Sequence, residues 1–215
     1  MCSIPGRTSS AQSCSMPYIR TLKLRPRIWM TFLVMAPLMP WAVLTETVVQ
    51  LLMQDLDPEK MKLFSRDNCA SVEIATKKSG IADLIPGTMI DDYLFDPCGY
   101  SMNGLLRNGQ YFTIHITPEP QFSYCSFETN IPKESYHSLI MKVLDIFKPK
   151  KFLVTLFANE GSVANVKHIE CEDFSALTNY RQVDHQFCQL KNYNLTYTMF
   201  KSAATNTWLA SDPPH

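Results

Sequence analysis

From Thr45 onward, apolar residues fall into short periodic blocks separated by Pro, Gly and Asp. Val48, Leu51, Leu52 and Leu56 recur at three- and four-residue steps behind Thr45, which predicts a capped amphipathic helix. Asp57-Pro58 ends that pattern and starts a second helix running to about Phe64, because proline suits a first helical turn. Residues 66–78 are polar and predict a loop, whereas Ser79–Ile85 predicts a short helix closed by Pro86-Gly87. Met89–Met102 reads as one strand ending in a turn at Asn103-Gly104.

Tyr111–Thr117 alternates ring, polar and aliphatic residues as a half-buried strand does. Tyr124–Thr129 is a second strand, placed to pair with it across Pro118–Ser123. Residues 133–148 carry the strongest helical period, with Tyr136, Leu139, Ile140, Val143, Leu144 and Phe147 on one face and Pro149 as the stop. Phe152–Ala158 predicts a buried strand, and 180–188 and 192–200 predict two more. Strands outnumber helices and are joined by short links, so the expected class is α+β with antiparallel pairing. The tail, residues 204–215, ends in Pro213-Pro214-His215 and predicts no element.

Composition narrows function by exclusion. Twenty basic residues offset twenty acidic ones, so no net field favours nucleic acid or an anionic membrane surface. The seven cysteines are scattered without a CxxC pair, and no Cys/His spacing matches a metal site. Reduced thiols and a cytoplasmic location are the expectation. Residues 28–44 form an uncharged apolar run behind Arg20, Lys23, Arg25 and Arg27. That pattern suits a signal peptide or anchor, but Pro37 and Pro40 interrupt a run barely long enough to span a bilayer.

Candidate chemistry concentrates in three segments: Phe95-Asp-Pro-Cys-Gly-Tyr-Ser-Met-Asn-Gly104, Tyr111-Phe-Thr-Ile-His-Ile-Thr-Pro-Glu-Pro120 and Ser123-Tyr-Cys-Ser-Phe-Glu-Thr-Asn130. They hold a hydroxyl (Ser101), an imidazole (His115) and two carboxylates (Glu119, Glu128) on closely connected stretches. Read alone, Ser101 is a turn residue and His115 a hydrogen-bonded core residue. No third partner stands at a spacing that supports a serine-hydrolase triad.

Together the three segments resemble the eukaryotic, pyruvoyl-dependent S-adenosylmethionine decarboxylase proenzyme, from about Val49 to Ala203. The resemblance implies a layered α/β/β/α sandwich of antiparallel sheets, of which this chain holds roughly the C-terminal half. It implies that Ser101 and His115 assist self-processing, in which an upstream serine ester is eliminated to a pyruvoyl group and the imidazole removes the proton. It further implies that Phe95 stacks on the adenine of S-adenosylmethionine and that Glu119 accepts from the ribose hydroxyls. Glu128 and Phe157 resemble residues near a putrescine site. The implied cofactor is the self-derived pyruvoyl group, which forms a Schiff base with the substrate amine. No match to its precursor serine is expected in this chain, and Cys98 reads as a structural thiol.

Residues 1–48 have no counterpart in that resemblance. In a shifted frame, the codons for Phe32–Val48 permit an asparagine-glycine, an alanine-rich strand and an arginine like those the family has just upstream. The expectation is therefore an out-of-frame or mis-spliced segment, which an intact transcript frame through Trp29–Trp41 would refute. The functional expectation is a decarboxylase of spermidine and spermine biosynthesis, here a fragment and inactive by itself. The alternative is an inactive paralogue that binds a full-length decarboxylase and regulates it. A homodimer is the other implied assembly.

Overall fold

The computed structural model describes residues 47–163, 177 and 179–203. The N-terminal segment, including the apolar run at 28–44, and the tail at 204–215 lie outside the described residues, as do Cys2, Cys14 and Cys171. Eight strands form one sheet: β1 (Thr47–Gln54), β2 (Met89–Leu94), β3 (Tyr100–Leu105), β4 (Tyr111–Thr117), β5 (Tyr124–Thr129), β6 (Lys151–Asn159), β7 (Tyr180–Gln189) and β8 (Tyr193–Ser202). Their order is β2-β3-β4-β5-β1-β6-β8-β7, and the pairings are antiparallel. Among the described residues, three α-helices accompany the sheet: α1 (Pro58–Met61), α2 (Val72–Ser79) and α3 (His137–Phe147). The class is thus α+β, as the strand count predicts.

One core joins the helices to one face of the sheet. Val49, Leu51 and Met53 of β1, Phe112, Ile114 and Ile116 of β4, and Phe152, Val154 and Leu156 of β6 are buried there. They meet Leu139, Ile140, Val143, Leu144 and Phe147 of α3 in the same cluster. Phe64 ties the layers together, its ring 5.2 Å from Tyr100 and 6.4 Å from Phe147. Burying such rings is worth about 1.5–3 kcal/mol each. The alternate positions, among them Gln50, Leu52, Ser101, His115, Glu128, Leu153 and Phe157, turn to the opposite face because a strand has a two-residue period.

Four sequence expectations change. The helix expected behind Thr45 is strand β1 from Thr47 to Gln54, starting two residues before Val49. It lies between β5 and β6, so both of its faces carry apolar residues and a helical spacing results by accident. Residues 66–78 are not all loop. Ser71 caps α2 by accepting from the Ile74 amide at 3.4 Å, and Gly80 ends it in the left-handed region at φ +89°. Ser79–Ile85 narrows to a 3-10 turn at Ile81–Asp83 that follows α2.

Met89–Met102 is a hairpin rather than one strand, with β2 and β3 paired from Met89–Leu105 to Leu94–Tyr100. Its turn lies at residues 95–99, where the Phe95 amide donates to the Gly99 carbonyl at 2.8 Å. Asn103-Gly104 is not a turn and sits inside β3. The glycine is needed because a Cβ there would fall 2.4 Å from Cε1 of Phe112 on β4.

Candidate active site

The β3–β4 register sets Ser101 directly opposite His115 on the face away from the helices. Ser101 Oγ lies 2.9 Å from His115 Nδ1, a full hydrogen bond. The hydroxyl donates when the imidazole proton is on Nε2, and the ring donates in the other tautomer. Desolvation by the surrounding sheet lowers the His115 pKa, and the Glu128 carboxylate partly opposes it. His115 as a residue is nevertheless exposed. A group of this kind is neutral near pH 7 and can take a proton.

The same cross-strand row continues from Ser101 to Tyr93 of β2 and from His115 to Ser126 of β5. Tyr93 meets Phe95 edge to face, with ring centroids 4.8 Å apart and planes at 71°. Phe95 is held by the 95–99 turn and remains exposed. Gly99, at φ +119°, packs between Phe95 and the Ile116 carbonyl, which brings this turn against the end of β4. Glu119 follows two residues after β4 and is exposed; its carbonyl accepts from the Phe122 amide at 3.0 Å. Burial raises the Cys98 thiol pKa first, and the Glu119 and Asp67 carboxylates raise it further. Phe95, Cys98 and Glu119 therefore gather at one end of the β3–β4 pair, beside Ser101 and His115.

Glu128 belongs to the adjacent row on the same face, opposite Thr113 of β4 and Gln50 of β1. It accepts from the Tyr111 hydroxyl at 2.7 Å and from the Gln50 amide at 3.3 Å. Phe157 pairs with Val48 of β1 and Leu195 of β8, and stacks on Tyr193 at 4.7 Å with planes 7° apart. Gln50, Tyr111 and Tyr193 are the neighbours that the sequence reading missed. The first is hidden because β1 is apolar on both faces and imitates a helical spacing. The others became visible only when register placed strands distant in sequence side by side. Among the described residues, no group of three or more His, Cys, Asp or Glu side chains could hold a metal ion.

An antiparallel sheet backed on one face by helices, with a hydrogen-bonded serine–histidine pair on the other, marks the class as an α+β protein. The Adenosylmethionine decarboxylase family model matches residues 42–201, and the chain belongs to that family. It is 48% identical over 157 residues to the S-adenosylmethionine decarboxylase proenzyme of Drosophila melanogaster, covering 72% of this chain and 45% of that protein. It is 46% identical over 155 residues to the proenzyme of Xenopus laevis, again covering 72% and 45%. The crystal structure of a Trypanosoma brucei AdoMetDC-delta26 monomer superposes with a TM-score of 0.65 at 25% identity, covering 73% of this chain and 65% of that one. The chain thus spans about 45% of the length of the curated relatives it matches.

Proposed function

We propose that residues 49–203 serve as the proton-handling and nucleoside-binding part of a cytoplasmic S-adenosylmethionine decarboxylase in spermidine and spermine biosynthesis. The observation that carries this reading is the Ser101–His115 contact at 2.9 Å. Beside it stand an exposed aromatic, Phe95, and an exposed carboxylate, Glu119. Phe95 offers a ring face for an adenine, and Glu119 offers two acceptor oxygens for a vicinal diol. His115 takes a proton at its free ring nitrogen, and Ser101 holds the ring by a hydrogen bond to Nδ1. When present, a pyruvoyl group supplies the electrophilic carbonyl that accepts electrons from the breaking carbon–carboxylate bond. The hydroxyl–imidazole pair fits a self-processing centre because one partner can hold a proton and the other can steady an oxygen. Glu128 and Phe157 lie on the same face with β1 between them, and Glu128 is the carboxylate of that face on which a cation subsite would centre.

Calorimetric titration of S-adenosylmethionine into the 215-residue chain tests the reading. Saturable binding should be lost in Phe95→Ala and weakened in Glu119→Gln, with circular dichroism confirming that both variants fold. Binding indifferent to both substitutions would refute these assignments. Peptide mass spectrometry of the native protein separates the expectations for residues 1–48. Peptides spanning Trp29–Val48 would show that the segment is translated.

The second reading, a non-catalytic paralogue that pairs with a full-length decarboxylase, is favoured by the sheet's second face. Leu153, Phe157, Leu195 and Met199 lie there only partly covered by the described residues. A mixture of the two chains should then elute as a heterodimer; separate elution would remove this reading. A homodimer would instead elute at twice the chain mass without a partner.

A further inference from the structure

Glu128 is the only acidic residue in strands β4, β5, β1, β6 and β8. Both of its oxygens already accept hydrogen bonds. Tyr111 donates to Oε1 at 2.7 Å, and the Gln50 amide donates to Oε2 at 3.3 Å. Burial raises the Tyr111 phenol pKa first, and the bond to Glu128 adds to the effect, so the hydroxyl keeps its proton and remains a donor. Gln50 stands directly opposite Glu128 in the β1–β5 register and opposite Thr155 in the β1–β6 register. At the point where an ammonium group would dock, β1 therefore presents a neutral N–H. The Phe157 and Tyr193 rings close on each other at 4.7 Å, which leaves no slot between them for an alkyl chain.

A diammonium ligand brings two charges, and each must recover its lost hydration from an opposite charge or several acceptors. Along this row the described side chains next to Glu128 are the hydroxyls of Thr113 and Thr155, the Gln50 amide and Tyr197. None is anionic.

We propose that Gln50 sets the cation selectivity of this face: its amide occupies Glu128 as an ammonium group otherwise would, and the chain does not recognise a diamine there. The inference rests on reading Glu128 and Phe157 as a cation subsite.

The test is calorimetric titration of the full chain with putrescine, read as the difference between each chain and its Glu128→Gln counterpart. The native chain should show no Glu128-dependent binding. Gln50→Glu should acquire it, binding at least about tenfold tighter than its own Glu128→Gln counterpart, because a second carboxylate meets the second ammonium. The gain should fade at high salt. Glu128-dependent binding in the native chain would overturn the proposal, as would a folded Gln50→Glu chain without the gain. Should paired carboxylates unfold that variant, Gln50→Ala frees Oε2 and should gain Glu128-dependent methylammonium binding; no gain would also overturn the proposal. These titrations contain no S-adenosylmethionine, so failure of the decarboxylase reading shows in the substrate titration and leaves these arms intact.

Discussion

Ser101 and His115 face each other across β3 and β4, with Oγ and Nδ1 2.9 Å apart. The contact follows from two alternations meeting in register. Tyr100 and Met102 are buried against the helices, which turns Ser101 to the other face. Ile114 and Ile116 do the same for His115. A one-residue slip of either strand would bury one partner and separate the pair. Core packing on one face thus holds the geometry of the polar face.

His115 should titrate below the ordinary histidine range, because desolvation lowers its pKa and Glu128 only partly compensates. Removing the opposing charge in Glu128→Gln should lower the midpoint further, measured by NMR on the ring protons. The sign for stability follows. With the folded pKa below the unfolded value of about 6.5, the unfolded chain binds more protons in between. This group's contribution therefore falls as pH drops below about 6.5 and levels off beneath the folded-state pKa. Urea unfolding at several pH values should show that slope in the native chain and a shallower one in His115→Gln.

How much of this was legible in the sequence depended on where each element sits in the sheet. Tyr111–Thr117 is buried on one face and more open on the other, so its residues alternate and its strand is directly legible. Helix α3 presents one apolar stripe to the core, and its period was equally plain. β1 is central, and Val48, Val49, Leu51, Leu52 and Met53 are apolar on both faces, which imitates a helical spacing. Its paired β-branched valines were the available signal for a strand. Helix α2 buries only Ala75 and Thr76, too little to leave a stripe. Ser101 and His115 were recognisable as candidates, but their contact was not. It arises from a register set by packing on the opposite face, and no spacing along the chain encodes that distance.

Gly104→Ala tests the close approach between β3 and β4. The added methyl would lie 2.4 Å from Cε1 of Phe112 and 2.7 Å from Cγ2 of Thr88, well inside contact distance. Phe112 is fully buried and has little room to turn. The expected cost is about 1–3 kcal/mol, as for other overpacked cores. An unchanged urea midpoint would show that Phe112 can move after all. Phe112→Leu in the same chain should recover part of the loss by vacating the ring position.

Ser123 carries a buried backbone group across the fold. The Leu56 amide, which follows β1, donates to Ser123 Oγ at 2.8 Å, just before β5. Ser123→Ala leaves that N–H without its acceptor, which costs about 1–3 kcal/mol because desolvation is no longer repaid. Ser123→Thr keeps an acceptor oxygen and should lose less. Equal destabilisation by the two substitutions, measured by thermal unfolding, would place the effect in packing rather than in the hydrogen bond.

Gly99→Ala separates stability from ligand geometry. Gly99 adopts φ +119°, where an L side chain is strained, so the substitution should cost about 1–2 kcal/mol. The added Cβ would meet Phe95 only at ordinary contact distance, 3.5 Å, so strain in the turn dominates over a clash. Relief of that strain requires residues 95–99 to shift, and the turn is pinned by the Gly99 amide donating to the Phe64 carbonyl at 2.9 Å. Such a shift would disturb the edge-to-face contact of Phe95 with Tyr93. Ser123→Ala has a comparable expected cost but lies outside the 95–99 turn, and it serves as the control. S-adenosylmethionine affinity should therefore fall in Gly99→Ala and hold in Ser123→Ala, with both chains folded at the assay temperature. Equal affinity in the two variants would remove Phe95 from the binding surface.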